Sequence, residues 1–373
     1  MAEDQNNVRE NNDKTTLKEA PYLLIKGFIM GSADIVPGVS GGTMALILGI
    51  YERLLNAIKS VDLVFIRNIF TLKWKSAFKE LHALFLIFLL SGIVCAFAFF
   101  TKVVPLQVYM FTQPEIVYGL FFGLILGSIY ILIKTLPGFG IKEGVYLFIG
   151  ILFGLWVVNL VPADTPEHPA FVFLSGSIAI CAMILPGISG SYLLLIMRKY
   201  DYLLSQIGLI GGPETRDGIL GLFPFILGAI VGLVLFSRFL SWLLGKYHSE
   251  TISVLIGFLI GSLFVIWPFQ HREFVEQVRD VKELSVSDPV VMELQREGYN
   301  ENLPEFERLV GQSGKPGLVR VERVKKKLIK SKPYIPGWLG SLGNETPNVM
   351  GGITGIIVGM LLVGGLDVLR NKS

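Results

Sequence analysis

Gly31-Ser32-Ala33-Asp34-Ile35-Val36-Pro37-Gly38-Val39-Ser40-Gly41-Gly42-Thr43 sits in the middle of an apolar run from Pro21 to Ile58. The run is too long for one membrane span. With Pro37-Gly38-Val39-Ser40-Gly41-Gly42 at its centre it is also too broken for one helix, because proline and glycine both interrupt helical hydrogen bonding. The pattern returns 149 residues later, where Pro186-Gly187-Ile188-Ser189-Gly190-Ser191 breaks a second apolar stretch from Ala170 to Ile207. Aligning Pro37 with Pro186 also pairs Leu46 with Leu195, Tyr51 with Tyr200, Glu52 with Asp201, Leu54 with Leu203 and Leu55 with Leu204. Further along, Gly123, Gly127 and Ser128 recur as Gly257, Gly261 and Ser262. Alone, that spacing is ordinary helix-packing grammar. Two matches in the same order point to a duplicated half.

Composition places both halves in lipid. Of 373 residues 52% are hydrophobic and 17% charged, and the mean hydropathy is +0.59, more apolar surface than a water-soluble core of this length hides. A hydrocarbon layer about 30 Å thick needs about 20 apolar residues per helix. Clean spans of that kind run near Leu84–Val104, Ile116–Leu136, Val145–Val161, Leu220–Leu244, Ile252–Trp267 and Val349–Leu366. A net charge of +3 gives no reason to expect a nucleic-acid partner. Cys95 and Cys181 both lie in apolar runs and form neither a disulfide framework nor a metal or redox motif. No apolar signal region precedes residue 20, so the N-terminus is expected in the cytoplasm.

The predicted fold class is an all-α polytopic membrane protein. It is an inverted repeat of two halves, each a broken re-entrant helical hairpin followed by three transmembrane helices. Hairpin arms of about 16 to 18 residues reach roughly 25 Å, which favours tips that end inside the bilayer. Each hairpin returns the chain to its starting side and three spans follow, so the second half is inverted. The divisions are a cytoplasmic tail 1–20, a first repeat 21–161, an external link 162–169, and a second repeat 170–268 with two spans. An extracytoplasmic insertion 269–348, a last span 349–367 and a cytoplasmic tail 368–373 follow. Positive-inside counting agrees: Lys59 to Lys79, Lys134, Lys142, Lys246, Arg370 and Lys372 fall on the cytoplasmic side, Asp164 and Glu167 outside.

Irregular backbone at membrane depth is tolerated only where it is buried in protein or lines a cavity, and facing breaks of this kind build midplane sites in secondary transporters. The expected substrate-binding residues are Ser40, Gly41, Gly42 and Thr43 in one half and Ser189, Gly190, Ser191 and Tyr192 in the other, where N–H groups and hydroxyls suit an anion such as phosphate. Arg53 and Arg198, at the hairpin mouths, are further candidates. Asp34 is a carboxylate without a repeat counterpart, since its partner is Met183. It suits proton or sodium coupling, or pairing with a cation. Glu52 and Asp201 are the other coupling candidates. Lys26 lies on roughly the same helix face as Asp34, or snorkels toward headgroups. Gly38-Val39-Ser40-Gly41 also fits the GxSG string of intramembrane serine proteases. A serine nucleophile needs a nearby base, however, and His82, His168, His248 and His271 all fall at span ends or in loops. No metal site or cofactor motif is expected, and no GxxxxGK[ST] string points to ATP.

The segment from Gly31 to Thr43, with the second Pro-Gly-Ile-Ser-Gly and its downstream Tyr200-Asp201, resembles the bacterial polyprenyl-phosphate transporter family PopT. The resemblance covers both hairpins and the six spans, roughly residues 20 to 268 and 348 to 367. It implies a non-enzymatic transporter of the inner (cytoplasmic) membrane that returns undecaprenyl phosphate, or a related polyprenyl phosphate, across the bilayer for lipid-carrier recycling, with no cofactor. With no ATPase motif, the drive is an ion gradient, of protons or sodium, or the lipid's own gradient. The insertion at 269 to 348 is larger than the family pattern needs. One alternative keeps the fold and carries a small soluble anion. Another makes the chain a membrane anchor presenting the insertion, whose basic stretch Arg320 to Lys332 faces anionic lipid heads or solvent. Oligomeric state is not readable.

The topology makes a direct prediction. Single cysteines at Asn6 and Lys75 should react with an impermeant reagent only from the cytoplasmic side, and at Asp164 and Glu301 only from outside. Equal labelling of positions 75 and 164 from one side would remove the basis for inversion.

Overall fold

A computed structural model describes residues 15–36, 40–60, 67, 71, 82–160, 165–301, 303–312, 317–337 and 347–370. Pro37-Gly38-Val39, Asn6, Lys73, Lys75, Lys79, Asp164 and Lys372 lie outside the described residues. The first hairpin consists of α1 (Ala20–Asp34), α2 (Gly41–Ile47) and α3 (Tyr51–Lys59), followed by α4 (Ala83–Lys102), a short α5 (Leu106–Thr112), α6 (Pro114–Thr135) and α7 (Ile141–Val158). The second comprises α8 (Pro169–Ile184), α9 (Gly190–Ile196) and α10 (Lys199–Gly208), then α11 (Thr215–Lys246) and α12 (His248–Ile266). After β1 (Gln270–Ser285), α13 (Pro289–Glu297), β2 (Glu305–Gln312) and β3 (Leu318–Pro333), the chain ends in α14 (Val349–Arg370).

Five of these helices, α4, α6, α7, α11 and α12, are long and apolar enough to cross a membrane, and α8 and 349–365 are shorter apolar helices. Their outward faces are apolar too. Leu90 and Val94 on α4 are 56% and 66% exposed, and Phe223 and Leu235 on α11 are 60% and 63% exposed. Surface of that character is stable against acyl chains rather than water.

The chain divides into two compact units, Met1–Val103 with Leu124–Ile266 and Met360–Ser373, and Val104–Gly123 with Trp267–Gly359. Within the first, the duplication reaches down to single backbone contacts. A Cβ on Gly27 of α1 would strike the Leu89 carbonyl of α4, and one on Gly176 of α8, its repeat partner, the Phe225 carbonyl of α11. In return, Gly92 of α4 faces the Leu24 carbonyl and Gly228 of α11 the Phe173 carbonyl, again repeat partners. Without a hydrophobic drive between helices in lipid, close backbone approach at small residues is what holds such pairs. The turn after the short helix also recurs. Gly49 N–H donates to Leu46 O at 3.2 Å and Arg198 N–H to Leu195 O at 3.0 Å, with φ of 67° and 50°. Arg198 therefore takes the left-handed conformation that glycine takes in the first half, at a cost of roughly 1–2 kcal/mol.

The second pair of matched motifs is used for packing. Gly257 and Gly261 of α12 lie against Gly150 and Gly154 of α7, while Gly123 and Gly127 of α6 lie against Ile356 and Met360 of α14. Ser128 and Ser262 turn back onto their own helices, at Leu124 O and Leu259 O. So each half lends one helix to the other's pair.

The all-α expectation holds only in part. Helix makes up 69% of the structure, and the exception is an antiparallel three-stranded sheet of order β1-β3-β2 within the insertion. Residues 270–285 and 318–333 intersperse β-branched residues among charged ones, and register shifts at 273/274 and 278/280 keep the spacing from a strict period of two. A small core of Val291, Val319 and Val321, flanked by Leu284, Leu294 and Leu309, holds α13 to it. The register also explains the basic stretch. Arg320, Arg323 and Lys326 of β3 stand opposite Glu283, Asp280 and Glu276 of β1, and Arg308 of β2 bonds Glu276 and Glu322 at 2.9 and 3.1 Å. Opposite charges placed across a ladder stabilise it. Part of the stretch is therefore matched by acidic partners in its own sheet, while Arg320, Arg323 and Lys325 are exposed.

The glycine contacts generate a paired test. Gly92→Leu and Gly228→Leu should each destabilise the folded protein by about 1–3 kcal/mol through overpacking, lowering its melting temperature in detergent. Gly245→Leu, where a Cβ meets nothing within 4 Å, should leave it unchanged.

Candidate substrate site at the hairpin tips

Ending a helix leaves its last carbonyls and the next helix's first N–H groups without intrahelical partners. The first hairpin meets this locally at its N–H groups. Ser40, extended at φ −121°, caps α2 by accepting from Gly42 N–H at 3.1 Å. Asp34, the last residue of α1, accepts from Gly41 N–H at 2.6 Å. The other end of α2 is held from the same helix, since Lys26 Nζ donates to Leu48 O at 3.0 Å. An anion at the N-terminus and a cation at the C-terminus both complement the dipole of α2. Lys26 thus reaches into protein rather than toward headgroups.

The second hairpin meets the same requirement by contact with the first. Ser40 Oγ donates to Met183 O at 3.1 Å and Tyr51 OH to Ile184 O at 3.1 Å, so both serve the last turn of α8. Gly187 N–H donates to Thr43 Oγ1 at 2.9 Å. The two tips therefore meet. Their spacing depends on glycine at two places. A Cβ on Gly42 would lie 2.5 Å from Ile184 O, and Gly187, at φ +83°, faces the Phe258 carbonyl at 2.7 Å.

The eight tip residues fall into two groups. Ser40 and Thr43 are 3% and 0% exposed, and Gly41 and Gly42 are buried with them. Their hydroxyls are taken up in joining the tips. In the second hairpin Gly190 is buried against the Ala179 carbonyl, and Tyr192 OH donates to Val158 O at 2.7 Å. Ser189 is half-buried and Ser191 exposed, and their hydroxyls lie 2.9 Å apart. Met183, where Asp34 stands in the first half, is 48% exposed.

The charged candidates make other contacts. Arg53 bonds Glu19 at 3.1 Å and Thr15 at 2.9 Å and lies over the Phe85 ring, which fastens the segment before α1. Glu52 contacts His248 Nε2 at 3.2 Å. Arg198 and Asp201 are exposed. Three groups went unnoticed as site builders. Tyr51 is one, and its pairing with Tyr200 was a usable signal. Lys199 and Thr165 are the others: Thr165 donates to Met197 O at 2.6 Å, and the buried Lys199 donates to Thr165 O at 2.7 Å. Met197 is the repeat partner of Leu48, so each half caps the same carbonyl by different means.

These groups can hold an anion by hydroxyl and amide donors. Ser40 Oγ bonds a carbonyl rather than a histidine, while His168 caps α8 and His248 contacts Glu52. Among the described residues there is no group of three or more His, Cys, Asp or Glu able to hold a metal.

Comparison with known proteins gives the family. Residues 30–283 match the family described as VCA0040-like, undecaprenyl phosphate translocase-like. A polyprenyl-phosphate transporter of Vibrio cholerae is 37% identical over 252 residues, covering 66% of this chain and 77% of that protein. A polyprenyl-phosphate transporter of Staphylococcus aureus is 30% identical over 262 residues, covering 66% of this chain and 85% of that one. No solved structure gives a significant match. The matched span takes in both hairpin tips and every group that joins them, and on that basis the chain belongs to the undecaprenyl phosphate translocase-like family.

Proposed function

We propose that this chain carries undecaprenyl phosphate, or a related polyprenyl monophosphate, across the bacterial cytoplasmic membrane for reuse of the lipid carrier. In this reading the two halves are inverted and the hairpins re-enter the bilayer. The observation that carries it is the asymmetry of the joined tips. The first tip supplies the floor, its hydroxyls spent on Met183 and Gly187, while among the described residues the Ser189 and Ser191 hydroxyls pair with each other. Those two hydroxyls, beside Gly190 and Tyr192, receive the phosphate, and the prenyl chain stays in lipid. The names of the two relatives support the same substrate class.

Asp34 is the coupling group in this scheme. Its carboxylate holds the first amide of α2, so taking up a proton or a sodium ion changes the strength of that hold as the site alternates between the two sides of the membrane. Arg53, Arg198, Glu52 and Asp201 act at the hairpin mouths.

Four measurements test the reading. Purified protein in proteoliposomes should move labelled polyprenyl phosphate. Ser189→Ala/Ser191→Ala should weaken phosphate binding by about 1–3 kcal/mol, roughly ten- to a hundredfold, with little change for the neutral prenyl alcohol. Unchanged phosphate binding in the folded double variant means the tips only pack, and transport of a soluble anion in place of the lipid means the substrate class is wrong. Asp34→Asn keeps an oxygen acceptor for Gly41 N–H but loses the charge, so it should bind lipid and fail to accumulate it against an imposed gradient. In cells lacking other recyclers, loss of the protein should leave more undecaprenyl phosphate on the outer leaflet and sensitise them to agents that capture it there.

A further inference from the structure

Arg272 stands two residues into β1, at the root of the insertion. Its guanidinium carbon lies 4.2 Å from the centroid of the Tyr118 ring, the Tyr118 side chain also bonds the guanidinium, and Nη2 is buried with no hydrogen-bond partner among the described residues. Two other arginines of the sheet are paired with carboxylates: Arg308 bonds Glu276 and Glu322, and Arg323 bonds Glu305 at 2.6 Å. Glu115 is near enough to act on Arg272 through space but makes no ion pair with it. Burial draws the Arg272 guanidinium below its usual pKa. Leaving a charged donor buried and unmatched is costly, on the order of 1–3 kcal/mol or more.

Around this cation is a knot of aromatic rings. Trp267 meets Phe122 at 5.3 Å and Phe269 at 5.8 Å, and Phe269 meets Tyr334 at 6.4 Å. Trp267 Nε1 donates to Tyr334 O at 2.8 Å, and Tyr334 N–H to Phe269 O at 3.0 Å. Further along β1, Phe274 packs on Phe111 at 4.9 Å and is 37% exposed. A guanidinium short of an acceptor matches a phosphate oxygen, which it binds with fork geometry. Phe111 and Phe274, the latter lying two residues further along β1, offer apolar surface for a hydrocarbon chain.

We propose that Arg272 and this aromatic cluster form a loading site for a lipid monophosphate at the membrane face where the insertion emerges, which the proposed topology makes the outer one. The phosphate supplies the acceptor that Nη2 lacks, and the start of the prenyl chain lies against Phe111 and Phe274. Nη2 is covered in the unliganded cluster, so the headgroup reaches it by displacing part of that cluster. The proposal rests on the transport reading and adds a second, peripheral phosphate contact to it.

The test uses the full chain in lipid nanodiscs with a benzophenone-tagged polyprenyl phosphate, mapping crosslinked peptides. Wild type should crosslink within 104–123 or 267–283 as well as near 183–192. Arg272→Gln should reduce the first set roughly tenfold and leave the second in place, and Arg272→Lys should retain part of it. Glu115→Gln, which keeps the arginine and removes a competing carboxylate, should strengthen the first set. Excess inorganic phosphate should not compete if the lipid is the ligand, and full protection by it would make the site one for free phosphate and overturn the proposal. Unchanged peripheral crosslinks in folded Arg272→Gln, or weaker ones and a lower melting temperature in Glu115→Gln, overturn it as well and leave Arg272 a staple between β1 and α6. Loss of peripheral crosslinks from wild type alone defeats the loading site, whereas loss of every crosslink defeats the transport reading too.

Discussion

Backbone polar groups inside a bilayer have no water to turn to, and each one left unmatched costs several kcal/mol. A helix that stops at membrane depth must therefore find partners for its last carbonyls within the protein. In this chain the partners of α8 come from the other hairpin: Ser40 and Tyr51 supply the hydroxyls that serve Met183 and Ile184. Thr43 does the reverse and accepts from Gly187 N–H. Much else follows from these three bonds. They set where the tips lie, they demand glycine at positions 42 and 187, and they decide which hydroxyls remain for a ligand.

The duplication was legible because packing glycines and the proline break are local features that repeat at fixed spacing. Gly27 and Gly176, and Leu46 and Leu195, keep corresponding roles in the structure. Helix bounds were legible for the same reason, since apolar length in a membrane leaves few choices. The sheet in the insertion was missed because a membrane-weighted reading treated 269–348 as polar filler. The cue was there in the interspersing of Val275, Val278 and Val281 among charged neighbours, though bulges at 273/274 and 278/280 blur its period.

The site was legible as a location and less so as chemistry. Counting four hydroxyls as donors for an anion overlooked the claim that unwound backbone makes on them first. Sequence symmetry encouraged that error, because Ser40 and Ser189 look equivalent. The inequality comes from non-repeating neighbours: Asp34 against Met183, and Tyr51, 3% exposed, against Tyr200, 37% exposed. Such differences decide burial, and burial is set in three dimensions by residues more than a hundred positions away. The partners of Arg53, Thr15 and Glu19, were not legible for a related reason, since they belong to a segment that looked like a featureless tail.

The grip of α1 on both ends of α2, by Asp34 and Lys26, has a mechanical meaning. Two ties from one helix, eight residues apart, make the first hairpin a single stiff piece. Its counterpart has no such double tie, for Met183 offers no acceptor and the carbonyl of Met197 is held from Thr165, outside α8. The two halves thus secure the same short helix differently, one from its own first arm and the other from the segment before its first arm.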